Sequence, residues 1–312
     1  MRYFTMLFLQ LLFILTGCVK IINDDLKSEG SKLVVNSVIS VDSVFMVNVS
    51  RTFDVFDDES ADNLPFIDNA TVKVFADGSY LTDLDHDEYG YYKAGFFPQR
   101  GVVYSLEVFA DTFASVSCNA AIPEAVKIKR VDTLSTLIDA EYDLYRDYIA
   151  KLVYDDPPGE ENYYMLSGIV DVTDGEGIEY YDNIWMDVPE SESEFYDISN
   201  GYNLLWSDKL VNGNEVSIRF SYLQWFYYGA PGGNEIQAKI TLYLKSITKD
   251  YYTYLRSVNL YQETYNSDPF MEPVVIHNNI KNGYGIFGAY DSDSSGFALH
   301  LSSGLKAEGG RQ

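Results

Sequence analysis

From Lys32 onward, apolar and polar residues alternate in short runs broken by Gly, Asp and Asn. Side chains on a strand point to opposite faces in turn, so such runs bury one face and wet the other. Leu33 to Ser40 reads as an apolar strand, and Phe45, Val47 and Val49 share one face of the next. Val72 and Val74 repeat the pattern after Asn69-Ala70, and Asp77-Gly78 marks a turn. Another strand begins around Gly90, within Tyr89 to Lys93. Tyr104, Leu106 and Val108 then face away from Val103, Ser105 and Glu107. Asp111-Thr112 turns the chain into Phe113 to Asn119. Strands this short, at this spacing, predict an immunoglobulin-like or prealbumin-like β-sandwich over residues 32–122.

Ile122-Pro123-Glu124 closes that domain, because proline cannot continue a central strand. A second, β-rich domain is expected over 123–306, giving a mostly β fold, with 307–312 as a disordered tail. Its strands read as Tyr148 to Tyr154, Tyr163 to Val172, Val216 to Leu223 and Ile236 to Leu244. Asp139 to Asp147 is compatible with strand or loop. One segment has a different period. Tyr251, Tyr254, Leu255, Val258, Tyr261 and Tyr265 recur at spacings of three and four, which predicts a helix near 248–265. Thr248 stands where an N-cap belongs, and Asp250 suits the positive end of the helix dipole. A helix in a β-rich domain is expected to cover an open sheet face or edge.

The N-terminus carries a different kind of information. Arg2 precedes an apolar stretch from Tyr3 to Leu15, which runs into Leu15-Thr16-Gly17-Cys18. A basic start, a short apolar core and small residues before a cut site make a secretory signal. The stretch falls short of the roughly 20 apolar residues a membrane span needs. A cysteine directly after the cut makes it a lipoprotein signal, with residues 1–17 removed and Cys18 lipidated. Its acyl chains would hold the protein to a membrane. Residues 18–31 then form a polar tether that lets the folded part clear the headgroups. The expected location is outside the cytoplasm, held to a membrane by lipid. The acidic residues soon after Cys18, Asp24 and Asp25, resemble the export signal of Bacteroidota lipoproteins, which implies a lipid-anchored place on the outer membrane, exposed at the cell surface.

Removing Arg2 leaves 21 of the 22 basic residues against 47 acidic ones, a net charge of −26. Such a body repels nucleic acid and anionic lipid. With Cys18 lipidated, only Cys118 is left, so no intrachain disulfide can form and stability must come from packing. Cys118 lies in an alternating stretch and reads as a half-buried strand residue.

Several segments together resemble a known family. Leu33-Val34-Val35-Asn36-Ser37-Val38-Ile39 follows the tether, and Asp68-Asn69-Ala70-Thr71-Val72-Lys73-Val74 comes next. A mid-chain turn runs from Asp155-Asp156-Pro157-Pro158-Gly159 to Tyr164. Asp268-Pro269-Phe270 and the stretch from Asn278 to Gly288 follow near the C-terminus. In order and spacing these resemble a Bacteroidota lipoprotein family known only as a domain of unknown function. Members are commonly encoded beside TonB-dependent outer-membrane transporters. The resemblance therefore implies an accessory role in uptake, and it supplies no catalytic residues.

The remaining constellations favour binding over catalysis. Gly283, Gly285 and Gly288 superficially resemble a phosphate loop, but no lysine or following helix completes one; a strand is expected, with close packing of backbone, or a bulge, next to a neighbouring element. Asp291-Ser292-Asp293-Ser294-Ser295-Gly296 matches the first half of a calcium loop, yet the twelfth position is Ser302. A solvated hairpin turn is expected there. No cofactor is expected; the sequence allows weak calcium binding at Asp291, Asp293 and Ser295, and weak cation binding at the acidic cluster around His86. Asp83, Asp85, Asp87 and Glu88 around His86 read as a turn. His86, His277 and His300 lack the spacing of a zinc site. No nucleophile elbow or zinc-protease motif is present, and no enzyme is expected.

Aromatic residues are abundant, with 27 Tyr and 3 Trp. Trp225-Phe226-Tyr227-Tyr228 leads into Gly229-Ala230-Pro231-Gly232-Gly233, and Trp185 and Trp206 lie in less regular sequence. Flat rings with polar tips make platforms for sugars, peptides or protein partners. Trp225, Phe226, Tyr227, Tyr228, Trp185 and Trp206 are thus the candidate contacts for a glycan, a peptide or a transporter. The expected function is a non-enzymatic surface lipoprotein serving a TonB-dependent uptake system. An adhesin or structural surface subunit is the alternative, and a hydrolase the third reading.

Overall fold

The computed structural model describes residues 30–53, 65–140, 143–173, 179–222, 236–265 and 273–301. Eight strands come first: β1 (Leu33–Ile39), β2 (Met46–Arg51), β3 (Thr71–Ala76), β4 (Ser79–Asp83), β5 (Asp85–His86), β6 (Tyr91–Lys93), β7 (Val103–Phe109) and β8 (Val116–Ala121). Sheet β4-β3-β7-β8 faces the run β1-β2-β6-β5. The alternation read from the sequence sets the inward faces. Val47 and Val49, Val72 and Val74, and Tyr104, Leu106 and Val108 are all buried between the sheets. Cys118 on β8 is 8% exposed, and burial pushes its thiol up to about 12. It is a core residue, more enclosed than half-buried.

The second half supplies β9 (Ile128–Ala140), β10 (Asp143–Asp155), β11 (Tyr163–Thr173), β12 (Glu179–Asn183), β13 (Met186–Asp187), β14 (Ile198–Ser199), β15 (Asn203–Ser207), β16 (Glu215–Tyr222), β17 (Ile236–Ile247) and β18 (Tyr284–Leu301). Sheet β13-β16-β10-β9 packs on the run β14-β15-β11-β17-β18, with β12 also paired to β11. The segment 139–147, open between strand and loop in the sequence, belongs to the hairpin of β9 and β10 where it is described. The sheets stack as sandwiches, and neither closes into a barrel.

β18 joins the two halves. Residues Tyr284 to Ala289 pair in parallel with β1, and Tyr290 to Leu301 pair antiparallel with β17. One ten-stranded sheet therefore runs through both sandwiches. Ile280, Phe287 and Ala289 are buried in the first core, far in sequence from the 32–122 segment expected to form that domain alone. The first sandwich is completed by the end of the chain.

The glycines at the entry to β18 and within it are fitted to this role, and the expected close backbone packing is found at Gly283 and Gly285. A Cβ on Gly283 would lie 2.7 Å from the Leu33 carbonyl oxygen. On Gly285, at φ +114°, it would lie 2.1 Å from the Val35 carbonyl oxygen. On Gly288 it would meet the Tyr251 Cβ at 2.8 Å.

The expected hairpin turn at Asp291–Gly296 is not formed. That run is continuous strand, with Asp291 opposite Ser246 and Gly296 opposite Thr241. Its acidic residues are tied to other elements instead. Arg100, between β6 and β7, makes a two-pronged ion pair with buried Asp291, through Nε and through an NH2 at 2.9 Å. Lys127 Nζ donates to Asp293 Oδ1 at 2.9 Å, and the Ile128 amide donates to Oδ2 at 2.8 Å.

The helix α1 (Lys249–Tyr265) falls where its periodicity placed it. It covers the face of the large sheet that looks away from the second core. Tyr252 packs with Tyr163, Met165, Ile198, Leu205 and Ile247, and the rings of Tyr163 and Tyr252 are 4.5 Å apart. The Thr248 carbonyl accepts the Tyr252 amide at 2.9 Å, while its hydroxyl accepts the Ala289 amide of β18 at 3.2 Å. This threonine thus pins the helix start to the shared strand.

Candidate ligand-binding face

The two tryptophans the structure describes have opposite fates. Trp206, on β15, has no exposed surface. Its Nε1 donates to the Tyr154 hydroxyl at 2.9 Å. Its ring packs against Tyr154, Tyr164, Phe195 and Tyr196. The sequence offered Trp206 as a binding platform; the structure makes it the hub of the second core, with no face left for a ligand. Strand β15 is inside the large sheet, flanked by β14 and β11, and its alternation is lost because Leu204, Leu205, Trp206 and Ser207 are all buried.

Around this hub lies a buried polar node built from the mid-chain turn. The Tyr164 hydroxyl donates to Asp156 Oδ1 at 2.6 Å, and the Gly213 amide to Oδ2 at 2.8 Å. Asn162 and Asn212 donate to Asp208 Oδ2 at 3.2 and 3.1 Å. Asp156 and Asp208 are 3% and 1% exposed. Burial raises the Asp156 carboxyl above its ordinary value, the nearby Asp208 adds to the rise, and the bonds from Tyr164 and Gly213 oppose it. Burial also holds the Tyr154 and Tyr164 hydroxyls above the usual tyrosine range. Every carboxylate oxygen named here accepts an internal donor, which is the chemistry of a satisfied structural network.

Trp185 keeps 39% of its surface exposed. It precedes β13, and its Nε1 donates to Asp187 Oδ1 at 2.8 Å. That bond places both side chains on the outer, solvent face of sheet β13-β16-β10-β9. The ring lies against Gly201, where a Cβ would sit 2.5 Å from two ring carbons, and Gly201 has φ +86°. Only glycine lets backbone and indole meet at that distance in that conformation. Tyr202, 49% exposed, meets the indole edge-on at 5.1 Å between centroids. The result is an aromatic shelf fixed on three sides. A ring held this way loses little rotamer freedom on binding, which favours affinity.

Gly201, Tyr202 and Asp187 were not singled out in the sequence. The signals were present, since Asn200-Gly201 is a turn dipeptide and Trp185 and Asp187 are two residues apart on a strand-like run. Their convergence depends on a turn between β14 and β15 reaching a strand of the opposing sheet, as shown by the Met186 amide donating to the Gly201 carbonyl.

Cys18 and the run Trp225, Phe226, Tyr227 and Tyr228 lie outside the described residues. β16 ends at Tyr222, opposite Met186, beside Trp185. Asp291, Asp293 and Ser295 lie on one extended strand, with both carboxylates engaged as described above. A calcium loop wraps its oxygens around the ion, whereas this backbone is straight, so the loop geometry read from the sequence is absent. Among the described residues, no group of three or more His, Cys, Asp or Glu is placed to hold a metal ion. Among the same residues, no helix is long and apolar enough to cross a membrane. His86 bonds Asp68 at 3.0 Å, and His277 bonds Asp250 at 2.8 Å, each in a separate part of the fold.

These features define a class: a mostly β protein of two sandwiches threaded by one sheet, with, among the described residues, a single covering helix. A family match makes the assignment specific. Residues 19–295 match a domain of unknown function, DUF4249, and the chain belongs to that family. Comparison with curated proteins gave no significant match.

Proposed function

We propose that this chain is a lipid-anchored lipoprotein of the outer membrane that binds a ligand or partner in the service of a TonB-dependent transporter, without catalysis. The observation that carries the anchor is the Leu15-Thr16-Gly17-Cys18 box behind its apolar stretch. The observation that supports binding is the Trp185 shelf, an exposed indole fixed by Asp187, Gly201 and Tyr202. The indole offers a flat apolar surface with Tyr202 standing edge-on beside it and a carboxylate at the edge, suited to the face of a sugar or an apolar side chain. The two sandwiches would hold this face away from the membrane on the 18–31 tether.

Two measurements test the reading. Growth with an alkyne-tagged fatty acid should label the wild-type protein and leave Cys18→Ser unlabelled and released from membranes. Affinity purification from detergent-solubilised membranes should recover an outer-membrane transporter with the wild type, and about tenfold less of it with Trp185→Ala. Retention of the Cys18→Ser protein in the membrane fraction would remove the basis for the anchor. An undiminished complex with Trp185→Ala would remove the shelf from the contact surface.

A further inference from the structure

The outer face that carries Trp185 continues into a groove of about 630 Å³ over β9, β10 and β16. Lys151 on β10 stands directly opposite Arg219 on β16. Like charges at opposed sites cost stability unless something neutralises them. The other cations on this face are neutralised: Lys129 reaches Asp155 at 3.0 Å and Glu215 at 2.8 Å, and Arg130 reaches Asp132 at 3.1 Å, occupying the groove carboxylate that stands opposite Lys151 on its β9 side. Lys151 and Arg219 make no ion pair among the described residues, in a chain whose formal charge is −25. One row further along the same face, Ile149 stands opposite Leu134, which is 63% exposed. Glu192 lines the groove as well.

From this arrangement we infer that the groove binds the C-terminal end of a short peptide. The terminal carboxylate would lie between Lys151 and Arg219, because a guanidinium fork matches a carboxylate in two bonds and the ammonium adds a second charge. Residues two apart on a strand are about 6.6 Å apart. That span brings an apolar side chain of the last or next-to-last residue onto Leu134 and Ile149, with Glu192 left to receive an amide or ammonium N–H. None of the described lining residues is an aromatic ring on which a sugar face could stack, which favours a peptide over an acidic glycan. This goes beyond the lipoprotein reading and holds whether or not Cys18 carries lipid.

Titration calorimetry on the full mature chain tests it, with the tripeptide Ala-Leu-Leu as probe. The free acid should bind at least tenfold more tightly than its C-terminal amide. The double variant Lys151→Gln/Arg219→Gln should lose at least tenfold in affinity for the free acid. The equal-charge control Lys73→Gln/Lys281→Gln should bind like the wild type. The groove variant should also melt no lower than wild type, since it removes a like-charge pair. The proposal is overturned if acid and amide bind within twofold of each other, or if the groove variant binds the acid unchanged. It is equally overturned if no heat of binding is seen at about 1 mM peptide, or if a uronic-acid disaccharide binds more tightly than the peptide.

Discussion

The two sandwiches reach closure by different chemistry. The first core is lined mainly by Val, Leu, Ile and Ala, with Phe45, Tyr92, Tyr104 and Phe287 as its large rings. It is sealed by a strand from the far end of the chain, which fits because Gly283 and Gly285 let backbone approach backbone. The second core has a comparable aliphatic lining but adds a larger set of polar-tipped rings, Tyr148, Tyr154, Tyr164, Tyr196, Trp206 and Tyr222. It borders the buried carboxylates of Asp156 and Asp208, whose bonds fix the turns between strands. One half is specified by steric fit at a shared strand, the other by a hydrogen-bonded network. The solvent face of the networked half is the one that carries Trp185, Lys151 and Arg219, and a rigid interior is what keeps such a face preorganised.

The largest expected effect breaks the steric half. Gly285→Val places a β-branched side chain at φ +114° and its Cβ on the Val35 carbonyl. Left-handed strain of about 1–3 kcal/mol adds to loss of the parallel pairing with β1. We expect a loss of more than about 4 kcal/mol in urea unfolding, within the exceptional range for one substitution. A loss under about 1 kcal/mol would show that β18 is not what closes the first sandwich.

A smaller effect is expected in the networked half. Asp156→Ala leaves the buried Tyr164 hydroxyl without its acceptor, at about 1–3 kcal/mol, while the Gly213 amide lies on an exposed turn and can bond water instead. The expected loss is about 1–3 kcal/mol, measured by the same unfolding curves. Asp156→Asn isolates the charge. The folded protein holds the Asp156 proton more tightly than the unfolded chain does, because burial raises its carboxyl above the ordinary 3.8. Its contribution is therefore fully present below 3.8 and is lost as pH rises through the folded value. The stability of Asp156→Asn relative to wild type should improve from pH 3.5 to pH 7. A difference that stays flat, or moves the other way, would show that the carboxylate is not held against its charge.

How much of this was legible in the sequence follows the same division. The period-two pattern gave six of the eight strands of the first sandwich and their inward faces, since each apolar set points one way. β4 and β5 escaped it because Ser79 to His86 is mostly exposed, and Asp83, Asp85 and His86, expected in a turn, lie on those strands. The three-and-four spacing gave α1 to within a residue at its start. The glycines of 283–288 were read correctly as close packing. The run Asp291 to Gly296 was misread as a turn because its composition is that of a turn. Tertiary pairing with β17 overrides it, and Arg100 neutralises Asp291 from 191 residues away, a distance no local window spans. Trp206 was misread because β15 is buried on both faces and so shows no alternation. The Trp185 shelf was half legible: the indole stood out, but its supports come from a turn on the opposing sheet.

The finest prediction asks whether the two sandwiches open together. In the Cys18→Ser protein, Cys118 is the only thiol, and it lies in the first core. Burial and its raised ionisation point should slow its reaction with a thiol reagent at pH 8 at least a hundredfold relative to urea-unfolded protein. Labelling then reports how often that core opens. Asp156→Ala disturbs only the second core, with no contact to Cys118. Because β18 pairs with β1 through one half and with β17 through the other, we expect the distant substitution to accelerate labelling of Cys118. The acceleration should match the fall in the global unfolding free energy, about tenfold for each 1.4 kcal/mol lost. An unchanged labelling rate would mean that the first sandwich opens alone, and that the shared strand joins two units in space without coupling their stability.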